Sequence, residues 1–98
     1  MKELTAHEVQ QRLESGEKLN LLDVREVEEV KEGHIPGIIN IPLALLEFKM
    51  HDLDKTVPYI VLCRSGGRSS KAVQFLEAYG FDVTNMQGGM LEWEGKLE

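Results

Sequence analysis

Cysteine occurs once in the 98-residue sequence, as Cys63, and the residues that follow it are Arg64-Ser65-Gly66-Gly67-Arg68-Ser69. A sulfur beside two arginines and two glycines has the makings of a covalent nucleophile. Helix N-termini and neighbouring cations lower a cysteine pKa from about 8.5 into a range of roughly 3.5 to 7.5, so a thiolate would exist at neutral pH. Gly66 and Gly67 let the backbone turn tightly around the sulfur and leave room for a ligand, since a Cβ would block positive φ angles or the ligand's approach. The alternative is a core cysteine closing an apolar strand, a common environment for free cysteine. A cation-rich glycine loop has no packing purpose, which favours the nucleophile.

The flanking segments must position that loop. Tyr59-Ile60-Val61-Leu62-Cys63 is an uninterrupted apolar run, as expected of a central parallel strand buried on both faces. From Ser69 the pattern takes a helical period, with Ala72, Val73, Leu76 and Tyr79 on a buried stripe and Gly80 as the stop. The sulfur then sits between a strand's carboxyl end and a helix N-terminus, where backbone N–H groups and the helix dipole favour an anion. Upstream, Thr5-Ala6-His7-Glu8 has the form of a capping box opening a helix from Ala6 to about Ser15 that buries Ala6, Val9 and Leu13. Residues 19–24 and 38–41 read as strands, 26–32 as an acidic helical turn and 43–51 as a helix with Leu43, Leu46 and Met50 on one face. Residues 81–85 alternate like a strand, and Met90 to Glu94 form a last short helix carrying Trp93. Strands alternating with helices predict an α/β fold with a mainly parallel sheet, whose sites lie at the carboxyl ends of the strands.

Composition narrows the function classes. Hydrophobic residues are 42% and charged residues 29% of the chain, ordinary for a folded protein, and its length suits a single domain over residues 1–98. Eleven Lys and Arg against seventeen Asp and Glu give a net charge of −6, which repels phosphate backbones and argues against nucleic-acid partners. One cysteine excludes an intramolecular disulfide. His7, His34 and His51 are scattered, so no spacing suits a structural zinc site and no metal is expected. There is no leader-like or membrane-length apolar run, so no membrane partner and a cytoplasmic location are expected.

Cys63-Arg64-Ser65-Gly66-Gly67-Arg68 resembles the six-residue active-site loop of rhodanese-type sulfurtransferases. Two other stretches agree in order and spacing: Asp23-Val24-Arg25-Glu26 leading to Gly33-His34-Ile35-Pro36-Gly37 and Asn40-Ile41-Pro42, and Gly88-Gly89-Met90-Leu91-Glu92-Trp93. Val30 and Ile38 depart from the aromatic and small residues usual there, which touches packing rather than chemistry. The resemblance implies a rhodanese-like α/β fold, a mainly parallel sheet of about five strands with helices on both faces. It implies that Cys63 takes a sulfane sulfur from a small anionic donor such as thiosulfate, holds it as a persulfide and yields it to cyanide or a thiol, with no cofactor. Backbone N–H groups from Arg64 to Ser69 would hold the terminal sulfur, while Arg64 and Arg68 attract the donor. A carrier module passing persulfide to a protein partner is the alternative. Cysteine phosphatases of related architecture place five residues between Cys and Arg, whereas four separate Cys63 from Arg68 and Ser69 stands at the phosphatase arginine's position. The smaller loop suits one sulfur atom, which puts phosphatase and arsenate reductase behind.

Asp23 and Arg25 close a strand, where they either orient the Cys63 loop by hydrogen bonds or form an ordinary salt-bridged turn. His34 reads as a turn residue rather than a base. Glu26, Glu28, Glu29 and Glu32 read as a solvated helix face. Leu97-Glu98 resembles a cloning remnant and is set aside from fold reasoning.

Overall fold

The computed structural model describes all 98 residues. Five parallel strands, β1 (Lys2–Thr5), β2 (Leu21–Asp23), β3 (Ile39–Asn40), β4 (Tyr59–Leu62) and β5 (Val83–Gln87), lie in the order β1-β5-β4-β2-β3. β4 is central and buried at every position, as its continuous apolar run requires. The helices are α1 (Ala6–Glu14), α2 (Val27–Lys31), α3 (Leu46–Lys49) and α4 (Gly67–Ala78).

Strand alternation divides the core in two. Tyr59, Val61 and Cys63 pack with Ala72, Val73 and Leu76 of α4, whereas Ile60 and Leu62 pack with Ala6 and Val9 of α1 and with Met86. Cys63 is therefore delivered by its register to the sheet face that α4 covers. α1 begins as the capping box predicts: Glu8 N–H donates to Thr5 Oγ1 at 3.1 Å and Thr5 N–H to Glu8 Oε1 at 2.8 Å. Leu13 is only half-buried at its far end.

Several elements differ from expectation for local reasons. β1 has no strand signal of its own, because Lys2-Glu3-Leu4-Thr5 is a mostly exposed edge that forms only by pairing with Thr84 to Gln87 of β5. Tyr79 is 47% exposed, not buried: α4 has ended there, and its ring lies 5.0 Å from that of Phe75 on the outer side. α4 itself starts two residues earlier than the periodicity indicates, at Gly67. The 43–52 segment is broken into 3-10 turns at Leu43–Leu45 and Met50–Asp52 around α3, although Leu46 is buried and Leu43 and Met50 pack beside it. The last helix is a 3-10 turn over Gly89–Glu92, and Trp93 lies beyond it. Leu97 approaches Gly33, and Glu98 exchanges backbone hydrogen bonds with His34 at 2.7 and 3.2 Å, so the final residues pack on the fold. No helix is long and apolar enough to cross a membrane.

Candidate active site

Cys63 ends β4 and is 1% exposed. The next residues curl back over its sulfur. Gly66 N–H donates to Sγ at 3.1 Å and Ser69 N–H at 3.3 Å. Gly66 makes the turn at φ +110°, a conformation that disfavours any side chain, and serves as the N-cap of α4. Gly67 has an ordinary backbone and nothing within 4 Å of an added Cβ, so only the first glycine is conformationally required.

A second pair of glycines fixes the loop from behind. The 3-10 turn donates Met90 N–H to the Cys63 carbonyl and Leu91 N–H to the Arg64 carbonyl, both at 2.9 Å. Gly89, at φ +57°, lies so close that a Cβ would come within 2.6 Å of both carbonyl oxygens. The Gly88-Gly89 pair is thus the contact surface between the C-terminal segment and the cysteine loop.

Burial pushes the Cys63 thiol up, but hydrogen bonds from the Ser69 hydroxyl and N–H and from the Gly66 and Ser65 N–H groups outweigh it and bring the pKa below its usual value. These hydrogen bonds are the leading causes of the lowering, and Arg68 adds a Coulombic attraction, since Cys63 in turn helps to raise the Arg68 pKa. Ser69 Oγ lies 3.4 Å from Sγ, 2.6 Å from Asn85 Oδ1 and 3.2 Å from the Gly66 carbonyl, so its single hydrogen turns to Asn85 while Sγ is a thiol that donates to it and can turn to Sγ once the thiolate forms. Asn85 is buried and donates to Glu3 Oε2 at 3.1 Å, which holds its amide with the oxygen toward Ser69. Nothing in the sequence reading singles out Asn85; the available signal is a polar residue at an inward position of β5.

The charged residues form a separate structure. Asp23 and Arg25 are buried and joined by Nε–Oδ1 and Nη2–Oδ2 contacts of 3.0 and 2.8 Å. Arg25 also donates to the Gly33 carbonyl at 3.0 Å, pinning the far end of α2. This is the salt-bridged turn of the two readings, with no direct hydrogen bond to the cysteine loop. The link to the loop runs through Glu29, whose two oxygens accept from Arg68 at 2.6 and 2.9 Å. Arg68 holds the Glu29 carboxyl down to about 2, and Glu29 in turn raises the Arg68 pKa. Glu29 is therefore not merely part of a solvated face. Arg64 is exposed and has no carboxylate partner; it lines a cleft of about 230 Å³ with Arg25, Glu29, Glu32, Met90 and Leu91 among its walls.

Arranged this way, the loop can stabilise a thiolate and present N–H groups to a second anionic atom attached to it. Comparison with known proteins agrees with that chemistry. The family model described as "Rhodanese-like domain" matches residues 5–96. A Bacillus subtilis (strain 168) relative named "Putative sulfurtransferase YtwF" is 42% identical over 98 residues, covering 100% of this chain and 95% of that one. Another from the same organism, named "Putative sulfur carrier protein YrkF", is 39% identical over 97 residues, covering 98% of this chain and 52% of that protein. The crystal structure of a rhodanese-like domain protein from Staphylococcus aureus superposes with a TM-score of 0.93 at 35% identity, covering 100% of this chain and 97% of the other. Matched in sequence and in backbone over nearly its whole length, the chain belongs to the rhodanese-like family.

Proposed function

We propose that this protein is a sulfurtransferase that moves a sulfane sulfur through a persulfide on Cys63. The observation that carries the reading is the pair of backbone N–H groups, from Gly66 and Ser69, aimed at a buried Sγ of lowered pKa. The Cys63 thiolate attacks the outer sulfur of thiosulfate, the S–S bond breaks and sulfite leaves with the electron pair. The product, Cys63–S–S⁻, is an anion for the N–H groups of residues 64 to 69 to hold. Cyanide or a thiolate then attacks the terminal sulfur, giving thiocyanate or a new persulfide and restoring the Cys63 thiolate. Negative charge is conserved in each half-reaction, so the cycle requires no cofactor or metal, and two half-reactions through one covalent intermediate give ping-pong kinetics. Arg64, with no partner, is better placed than Arg68 to meet an anionic donor. Asp23 and Arg25 act by holding α2, and through Glu29 the loop. Residues 1–98 work as one rhodanese-like unit, and a cytoplasmic location would keep Cys63 reduced.

Thiosulfate and cyanide supplied together test this: thiocyanate should form with the wild type and not with Cys63→Ala. Equal rates in both, or none in either, would sink the enzyme reading. The relative named as a sulfur carrier protein favours a second reading, delivery of persulfide to one protein acceptor. Intact mass after thiosulfate treatment separates the two. An added sulfur that cyanide removes at once marks the enzyme; one that persists until a particular protein is supplied marks the carrier.

A further inference from the structure

The cradle around Cys63 meets the same atom whatever the donor, because every sulfane donor presents an outer sulfur to the thiolate. Discrimination has to come from the rest of the donor. In-line displacement puts the leaving group on the far side of that sulfur from Cys63, pointing out of the loop. The charged groups beside the loop carry no net positive charge: Arg25, Arg64 and Arg68 stand among Asp23, Glu26, Glu29 and Glu32. Arg25 is committed to Asp23, and both oxygens of Glu29 are committed to Arg68. A donor with two negative charges thus gains little Coulomb attraction beyond Arg64, while Glu29 repels it in proportion to its charge.

Resting on the sulfurtransferase reading above, we infer that Glu29 is a specificity-determining residue: by clamping Arg68 it sets the site against dianionic donors such as thiosulfate and toward donors with one negative charge, the class of the organic persulfides. For such a donor, R–S–S⁻, the Cys63 thiolate takes the outer sulfur and R–S⁻ leaves with the electron pair, so charge balances as it does for thiosulfate. The backbone cradle works identically in both cases. The difference lies wholly in the leaving group.

The test pairs two donors with the same reacting atoms, thiosulfate and methanethiosulfonate, a dianion and a monoanion, with cyanide as acceptor and thiocyanate as readout. Glu29→Gln keeps the size of the side chain and an oxygen for Arg68. Removing one charge several ångströms away in a water-like dielectric should lower KM about threefold for the monoanion and, because the energy scales with donor charge, about ninefold for the dianion. kcat for each donor should stay within about twofold. Adding Arg68→Gln to Glu29→Gln should return the donor preference to that of the wild type. Equal KM changes for the two donors, or none, would overturn the inference, since a merely structural role of Glu29 does not sort donors by charge.

Salt dependence of the wild type gives a measurement that needs no variant. A site without net positive charge predicts that kcat/KM for thiosulfate falls less than about threefold when ionic strength rises from about 0.02 to 0.5 M, and a steep fall would overturn the inference. Thiocyanate formation that survives Cys63→Ala, or that fails with both donors, would overturn the sulfurtransferase reading and this inference with it.

Discussion

The cysteine loop and the arginine–carboxylate flank lie side by side, yet they handle charge in opposite ways. Around Sγ the work is done by the Ser69 hydroxyl and by backbone N–H groups, fixed by Gly66 and by the Gly89 turn and not themselves titrated. In the flank, charged side chains neutralise one another in pairs, Asp23 with Arg25 and Glu29 with Arg68. Oriented dipoles stabilise an anion without a counter-ion that would have to be moved during reaction, which is why they suit the reacting atom. Ion pairs fix geometry and trim the local field, and they suit the surroundings.

That division predicts where changes will hurt most. Gly89→Ala should be the most damaging, because a Cβ would meet two backbone oxygens and the left-handed conformation disfavours it. A loss of about 3 kcal/mol in stability is expected by denaturant unfolding, together with most of the sulfur transfer. An unchanged unfolding midpoint would mean that the C-terminal turn does not brace the loop.

Ser69→Ala removes the hydroxyl but leaves its N–H in place. With that lowering contribution gone and burial still pushing the thiol up, the midpoint of Cys63 alkylation against pH should move upward. A midpoint that stays put would show that the backbone alone ionises the sulfur.

Acid should probe the flank rather than the cradle. The Glu29 pKa falls from the ordinary 4.5 to about 2 in the folded chain, so its contribution is complete above about pH 4.5 and disappears as pH falls toward 2. Since both side chains of the pair are about one-third exposed, the effect should stay below about 1 kcal/mol. Comparing wild type with Glu29→Gln across that window should show the wild type losing slightly more stability, and parallel curves would remove the pair from the account.

Arg64→Gln should be the mildest change. The side chain holds nothing in the fold, so stability should stay within about 0.5 kcal/mol, while KM for thiosulfate should rise about two- to fourfold. A larger rise is expected from Arg68→Gln, because it leaves the Glu29 carboxylate without its counter-charge beside a dianionic donor.

Much of this was legible in the chain, and the legible parts share a cause. The Thr5–Glu8 cap, the β4 run and the Cys63 loop are signalled by residues within a few positions of one another, where local conformation decides the outcome. β1 was not legible, because an exposed edge strand takes its form from its partner. Tyr79 was misplaced because its step of three from Leu76 continues a helix that ends at residue 78. Asn85 and Glu29 reach their partners across 16 and 39 positions of sequence, beyond any pattern of period or spacing.

The sequence by itself determined that one cysteine closes a buried strand and opens a glycine loop, and that a parallel α/β sheet carries it, because these follow from local apolar pattern and backbone freedom. Only the tertiary structure decided what ionises the sulfur and which arginine is free. Those depend on which chain segments meet at the carboxyl end of the sheet. There the Gly89 turn braces the loop from one side, and α2 brings Glu29 to Arg68 from the other.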